Sequence, residues 1–595
     1  MISKKLLSMS MVASLLAAPF SAFGLDGDHD NDHPNRHLND RNGIRHVLLI
    51  SIDGMHAVDY QNCVAGGYCP NLATLGQTGV SYTNTSTSKP SDSFPGLMSI
   101  VTGATPRLMG IYYDVAYDRV LAPPFHTTGN GNLQGPCVPG AVNGTTTEYE
   151  EGDEIDQTML NGGAPGASLI DGGIKALDPT KFVRDPFVPD AANGGCAPVY
   201  PWNFVRANTI YGVIHKAGGY TAWSDKHAVY ASVSGPTGTS SPSNVDDYYS
   251  PEVNSNIVAL PGVTTADGLS CDVGGNPPDN NGLTWVDSFQ NIRCNDQLKV
   301  NAILNEIDGR THLGDAKAPV PNILGMNFQA VSVGQKLIEP INGVKVFGGY
   351  LDAAGNPSPN LKTNFGFADA AIGQMASELK KQGLLDSTLI IVTAKHGQSP
   401  IEPTKFIELG TGITTTPADL LANSTPVFLP PPPIGGQSEN PNTAGAVGPT
   451  QDDISLLWLG TGANTNAAVS VLQANSSAIL AQTIYSGQSL AAIYGTPGLP
   501  PFGDPRTPDI IVQPVPGVIY TGSHKKQEEH GGFDHDDTNV MILVSNPKLA
   551  AKTVTSFVET RQVAPTILQA LGLDPNDLEA VQIEGTKVLP GVDFK

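Results

Sequence analysis

The sequence predicts an α/β fold with a mostly parallel central sheet and helices on both of its faces. Three observations carry this. Apolar runs rich in Val, Ile and Leu alternate along the chain with segments whose apolar residues recur at helical spacing, the pattern of strand–helix–strand crossovers. The chain has 595 residues, of which 40% are hydrophobic, more than one small core needs, so a large domain with insertions is expected. Its 65 Gly and 48 Pro, set against only 15% charged residues, place long irregular loops around that core.

Taken in order, "RHVLLISIDGM" predicts a strand over 46–52 that ends at Asp53. Residues 203–218, "NFVRANTIYGVIHKAG", predict a helix capped by Asn203, with Phe204, Ile210, Val213 and Ile214 at helical spacing. "GYTAWSDKH" and "PNILGMNF" read as strands. Residues 366–386 predict a helix with Ala368, Ile372, Met375 and Leu379 on one face and Gly383 near its end. A strand over 388–393 follows, then "PDIIVQP" and "TNVMILVSNP" as two more, the second centred on 540–544. "RQVAPTILQALGLD" closes the chain with a helix stopped at Gly572. No internal repeat is present. A single large domain over 45–595 is expected, with insertions near 115–200, 230–295, 338–360 and 400–452, the last carrying a Pro/Gly-rich loop.

The net charge of −23 argues against a general nucleic-acid binder, which would be basic. An anionic substrate would have to be held by local cations or a metal. The first 24 residues join Lys4 and Lys5 to an apolar segment and small residues at Ala22 and Gly24, as a secretory signal peptide does. Residues 25–44 are polar and acidic with interspersed His, an expected disordered leader. No other run approaches the about 20 apolar residues of a membrane helix, so an exported protein, periplasmic or secreted and without a membrane span, is expected. Six cysteines suit export. They allow fifteen pairings, of which the sequential set, 63–69, 137–196 and 271–294, closes the shortest loops and is the expected one.

Functional groups in open parallel sheets gather at the carboxyl ends of strands. Asp53 stands at such an end, either bound to a partner or metal or as a turn residue before Gly54. "TSTSKPSDSFPGLMSIVTGATP" sets several hydroxyls ahead of a helix-like run that starts near Pro95, where the helix terminus favours anions and eases loss of a hydroxyl proton. Strand 388–393 ends in Lys395, His396 and Gly397, which reads either as a solvated strand end or as a catalytic edge. "WSDKH" sets Asp225, Lys226 and His227 after another strand. His530 precedes a Gly pair ahead of strand 540–544. The cluster Asp534, His535, Asp536 and Asp537 either supplies ligands or shapes the turn into that strand.

The order of these segments, "LLISIDGM", "SFPGLMSIVTG", "LIIVTAKHGQ", "EEHGGF" and "VAPTILQALGL", resembles the alkaline phosphatase superfamily, specifically its type I phosphodiesterases/nucleotide pyrophosphatases. The resemblance implies an alkaline-phosphatase-like αβα sandwich and hydrolysis of phosphate esters, phosphodiester or nucleotide-like, with a covalent phospho-enzyme. It implies one or two divalent metal ions, zinc in that family, with Asp53, Ser93, His396 and His530 as ligands and Ser93 as the metal-bound nucleophile. Ser91 is the next hydroxyl in line. Related sulfatases carry Lys and His where Lys226 and His227 stand, which makes these two expected substrate-binding residues. The partner implied is a small anionic phosphoester, not a nucleic-acid polymer; the sequence leaves the oligomeric state open.

Three departures stand out. Lys395 replaces the Asp of the family's Asp-His-Gly. The family's Asp-x-x-Gly-His is met by "NFQAVSVGQK", which offers Gln329, Gly334 and Gln335. The oxyanion-stabilising Asn after Phe-Pro is Gly96, which at that position is a third expected substrate-binding residue. Zinc is not held stably by one or two protein ligands. A lysine in a ligand's place would repel a cation and attract an anionic oxygen, so Lys395 is expected to stabilise charge and to join Ser93 and His396 as a catalytic residue. Two other functions compete: a sulfatase or phosphonate hydrolase of the same fold, disfavoured because Leu97 stands where the sulfatase motif needs Arg, and a non-catalytic member that binds an anionic ligand or a partner.

Overall fold

Strand β1 (His46–Ile52) is a continuous run of Val, Leu and Ile, buried along nearly its whole length, as a strand covered on both faces must be. It lies at the middle of an eight-stranded sheet. The strands in chain order are β2 (Gly79–Tyr82), β3 (Ala222–Ser224), β4 (Asp247–Tyr249), β5 (Ile323–Phe328) and β6 (Thr388–Thr393). A smaller sheet then interrupts: β7 (Thr450–Gln451), β8 (Ser455–Leu457), β9 (Ala481–Ser486) and β10 (Ile510–Pro514). The main sheet resumes with β11 (Ile542–Ser545) and β12 (Lys552–Val554), in the spatial order β12-β2-β11-β6-β1-β5-β3-β4. β11 runs against both its neighbours, β6 and β2; the other pairings are parallel.

Alternation along the strands builds two layers. Val47, Leu49, Leu389 and Ile391 point to one face and pack with α1 (Ser93–Thr102), α2 (Ile210–Lys216) and a helix near the C-terminus, Val563–Ala570. Leu48, Ile50, Ile52, Ile390 and Val392 point to the other. There they meet α3 (Asn291–Ile307), α4 (Ala330–Lys336) and α5 (Pro359–Lys381). The Val563–Ala570 helix, hereafter α6, ends before Gly572, whose φ of 73° is the left-handed conformation that glycine adopts freely. This is the expected α/β sandwich with a mostly parallel sheet.

The computed structural model describes residues 43–127, 134–149, 155–156, 158–159, 173–253, 255, 257, 259–272, 284–410, 416–422, 424, 450–459, 464–521 and 525–593. The expected signal peptide and nearly all of the expected leader lie outside these residues. The described residues belong to one compact unit. All three sequentially paired disulfides are present, Cys63–Cys69, Cys137–Cys196 and Cys271–Cys294. Among the described residues no helix is long and apolar enough to cross a membrane.

Two local expectations differ from what is found. The helix over 203–218 is broken: a single turn, Pro201–Phe204, is followed by α2, whose cap is Thr209. Thr209 Oγ1 accepts from Gly212 N at 3.2 Å, whereas Asn203 Oδ1 is taken by the amides of Thr237 and Gly238. The strand "PDIIVQP" is not part of the main sheet. As β10 it pairs antiparallel with β8 and β9, so the excursion expected to end at 452 continues to the end of this second sheet.

Candidate active site

β6, β1, β5 and β3 are neighbours and run parallel, so their carboxyl ends share one edge. Ile52 pairs with Phe328, and Ser51 with Thr393, which brings the residues after each strand level with one another. The backbone joins these ends: Asp53 N donates to Phe328 O at 3.0 Å and Gly54 N to His396 O at 3.1 Å. The edge therefore collects Asp53, Gln329, Lys395–His396 and Asp225–His227 from four separate strands.

Asp53 is fully buried. Its Oδ2 accepts from Asn327 Nδ2 at 3.2 Å and from Gln329 Nε2, with His396 Nε2 at 3.7 Å and Lys395 Nζ at 3.9 Å. Burial alone would raise the pKa of this carboxyl, but the Lys395 ammonium, then His396 and Lys226, outweigh burial and hold it well below the usual carboxylate range. Lys395 is 0% exposed, as a lysine can be only when paired. Its Nζ lies 3.2 Å from Asp225 Oδ1 and 4.0 Å from the centre of the Tyr230 ring. Lys226 approaches the same ring at 5.8 Å. His227 Nδ1 bonds Glu252 Oε1 at 2.6 Å, both buried.

Ser93 is the first residue of α1, and Asp92 is its cap, accepting from Phe94 N at 3.1 Å and from Asp114 N at 3.1 Å. Ser93 is 1% exposed and its Oγ has no hydrogen-bond partner. Ser91, by contrast, donates to Asp537 O. Asp92 Oδ1 lies 3.6 Å from His530 Nε2, and the His530 ring stacks on His396 with centroids 3.9 Å apart and planes inclined by 18°. His396 closes the chain of contacts back to Asp53. His530 Nδ1 is held by Glu529 Oε1 at 2.9 Å. Burial and the neighbouring His396 push His530 down to about 3, against the opposing pull of Glu529, so its ring is neutral near pH 7. Its side chain is 14% exposed, against 1% for Asp92.

The acid, the hydroxyl-bearing helix start and the two imidazoles thus form one contiguous cluster beside the ammonium. Gly96 plays a different part from the one expected. Its N–H donates to Asp92 O, and a Cβ there would lie 2.2 Å from Lys395 O, so this glycine offers close packing between α1 and the strand end, with no spare donor for a substrate. The 534–537 cluster is spent elsewhere: Asp534 accepts from Gln513, Asp536 from Ile401 N, and Asp537 is buried near Asp453. Asp92, Asn327, Tyr230 and Glu529 were not singled out from the sequence. Asp92 had a signal, as an Asp directly before a helix start; Tyr230 had none, since its role depends on which cations reach its ring.

The two-metal set does not fit this arrangement. Asp53 Oδ1 and Ser93 Oγ are buried without partners, as atoms facing a missing group would be. Three of the four neighbours at Asp53 Oδ2, however, present N–H: Asn327, Gln329 and Lys395; only His396, whose Nδ1 faces Gly397 O at 2.7 Å, turns a ring nitrogen there that could ligate. A divalent ion placed about 4 Å from the Lys395 ammonium would meet a repulsion on the order of 8 kcal/mol at an effective dielectric of 20. Among the described residues no three His, Cys, Asp or Glu side chains come together as metal ligands do.

A family model, type I phosphodiesterase/nucleotide pyrophosphatase, matches residues 47–160 and 349–537, just over half of the chain. Among solved structures, murine ectonucleotide pyrophosphatase/phosphodiesterase 5 in an inactive form with AMP is similar at 14% identity and a TM-score of 0.45, over 89% of this chain and 96% of that one. The human protein of the same name gives 13% identity and a TM-score of 0.43, over 89% and 95%. Likenesses of that size say nothing about activity. No curated protein sequence matches the chain. The family match takes in the strand bearing Asp53, the helix bearing Ser93 and the Lys395–His396 and His530 segments, and on that ground the chain belongs to the type I phosphodiesterase/nucleotide pyrophosphatase family of phosphodiester hydrolases, within the alkaline phosphatase superfamily.

Proposed function

We propose that the chain is an exported hydrolase of small phosphoesters, phosphodiester or nucleotide-like, with Ser93 as nucleophile. One observation carries the reading: a buried, unpartnered hydroxyl at the first position of a ten-residue helix, next to Asp92 and so at one end of the run of contacts through His530, His396 and Asp53 to Lys395. The helix terminus and the ammonium favour the anion. In the first step the Ser93 Oγ–P bond forms as the P–O bond to the leaving alcohol breaks. In the second, water attacks the phosphoseryl phosphorus and returns the serine hydroxyl. His396 takes and returns the protons, and the neutral His530 ring stacked on it holds it in place. Lys395, with Lys226 and His227 beyond it, offsets the charge on the phosphoryl oxygens. No step is assigned to zinc, because the donors around Asp53 do not suit it. Three disulfides support export, and the net charge of −23 favours a small substrate over a nucleic-acid polymer.

The test is turnover of bis-p-nitrophenyl phosphate by the mature protein and by Ser93→Ala. The expected loss is about 10³-fold or more, with the far-UV spectrum unchanged. Turnover that survives in Ser93→Ala would assign the reaction to another hydroxyl. Folded wild-type protein with no turnover of any phosphoester would favour a non-catalytic anion-binding member of the family.

A further inference from the structure

We infer that this chain binds the phosphoryl anion without a metal ion, with the Lys395 ammonium standing as a built-in cation at the place where the family's ligand pattern calls for a metal. The inference rests on the phosphoester reading of the site and concerns what supplies its positive charge. Three features of the fold argue for it. First, the cation is fixed from several sides. Lys395 Nζ is 3.2 Å from Asp225 and 3.9 Å from Asp53, and it sits over the Tyr230 ring at 4.0 Å, fully buried. A buried ammonium with two carboxylates and a π-face has one well-defined position, so its charge is pre-oriented and costs no rearrangement when an anion arrives.

Second, one of the two Asp53 oxygens, Oδ2, is taken by amide donors, while Oδ1 has none. Asn327 and Gln329 donate to Oδ2. Gln329 is anchored through its own backbone: its N–H and that of Ala330 both reach Asp296 Oδ2 at 2.8 Å, and Asp296 Oδ1 pairs with Lys299 at 2.9 Å, all inside the sheet's α3 layer. With their N–H groups turned to Oδ2, the two amides meet that oxygen as hydrogen-bond donors and not as metal ligands. Third, the first turn of α1 is pressed against the same strand end, since Gly96 has no room for a side chain before Lys395 O. The start of α1, which favours an anion, is therefore held directly against the backbone of the residue that carries the ammonium.

The test uses the mature wild-type protein, purified from zinc-supplemented culture and dialysed against EDTA. Bound metal is counted by plasma mass spectrometry, and binding of inorganic phosphate is followed by calorimetry in EDTA. Expected are less than about 0.1 zinc per chain after dialysis and phosphate binding that EDTA leaves unchanged. Lys395→Met should weaken phosphate binding at least about tenfold, Lys395→Arg should retain most of it, and Lys395→Asp should gain zinc binding. Should Lys395→Met fail to fold, the Arg and Asp variants still read the charge at that position. Zinc retained at one or two per chain overturns the inference, as does phosphate binding that appears only after zinc is added, or phosphate binding that fails with and without zinc. The hydrolase reading is judged separately, by Ser93-dependent turnover. EDTA-resistant phosphate binding without turnover would sink that reading alone, and zinc-dependent turnover would sink this inference alone.

Discussion

Asp453, in the turn between β7 and β8, and Asp537, just before β11, are two buried carboxyls in contact with each other across the seam between the two sheets. Both oxygens of Asp453 and Oδ1 of Asp537 have no donor. The groups around them are mostly acidic: Asp452, Glu529, Asp534 and Asp536, against the Lys526 ammonium, which is bound to Glu529, and His56. Burial, then the neighbouring carboxylates, keep a proton on the pair; Asp537 is pushed up to about 7 and Asp453 well above the usual range. Unfolded Asp titrates near 4. The folded protein therefore binds an extra proton in this window, so stability is fully present below about pH 4 and is lost as pH rises through about 7. Three pH units at about 1.4 kcal/mol each make the loss about 4 kcal/mol. Asp453→Asn removes one of the two charges and gives Asp537 Oδ1 an N–H donor. Thermal unfolding of both proteins from pH 4.5 to 8.5 should then show near-equal midpoints at pH 4.5 and a variant several degrees more stable at pH 8. Parallel curves across the whole range would refute the shared-proton account.

Three other outcomes follow from the same geometry. Gly96→Ala places a Cβ 2.2 Å from Lys395 O and should cost about 1–3 kcal/mol in urea unfolding, as the helix start is forced off the strand end; a neutral result would mean α1 can slide there freely. Asp92→Ala should lose about 1 kcal/mol, because it leaves the Phe94 and Asp114 amides without their acceptor, while Asp92→Asn should keep most of that cap. Removing the Cys137–Cys196 bridge, which spans 59 residues, should destabilise by about 4 kcal/mol, against about 2 for Cys63–Cys69, which spans 6, in a loop-entropy account; equal costs measured by reversible denaturation would favour an enthalpic one.

What could be read along the chain was whatever a segment decides by itself. The apolar run 46–52 must be a buried strand wherever it goes, and Asp53 must then mark its end. A helix-like run beginning near Pro95 was legible, though its true start at Ser93 under the Asp92 cap was not, and the three disulfides follow the shortest loops. The meeting of Asp53, Lys395 and His396 was also within reach, once parallel strands were expected to share one edge. Sequence periodicity could not say which sheet "PDIIVQP" joins, because the run is equally apolar in either; its partners β8 and β9 decide that. Nor could it show that Asn203 would be drawn away by the 237–238 amides, leaving the cap to Thr209. Above all, Lys395 reads the same whether solvated or buried. Only the tertiary structure seals it between Asp225, Asp53 and Tyr230, since the electrostatic meaning of a charge is set by the groups that surround it in space, hundreds of residues away along the chain.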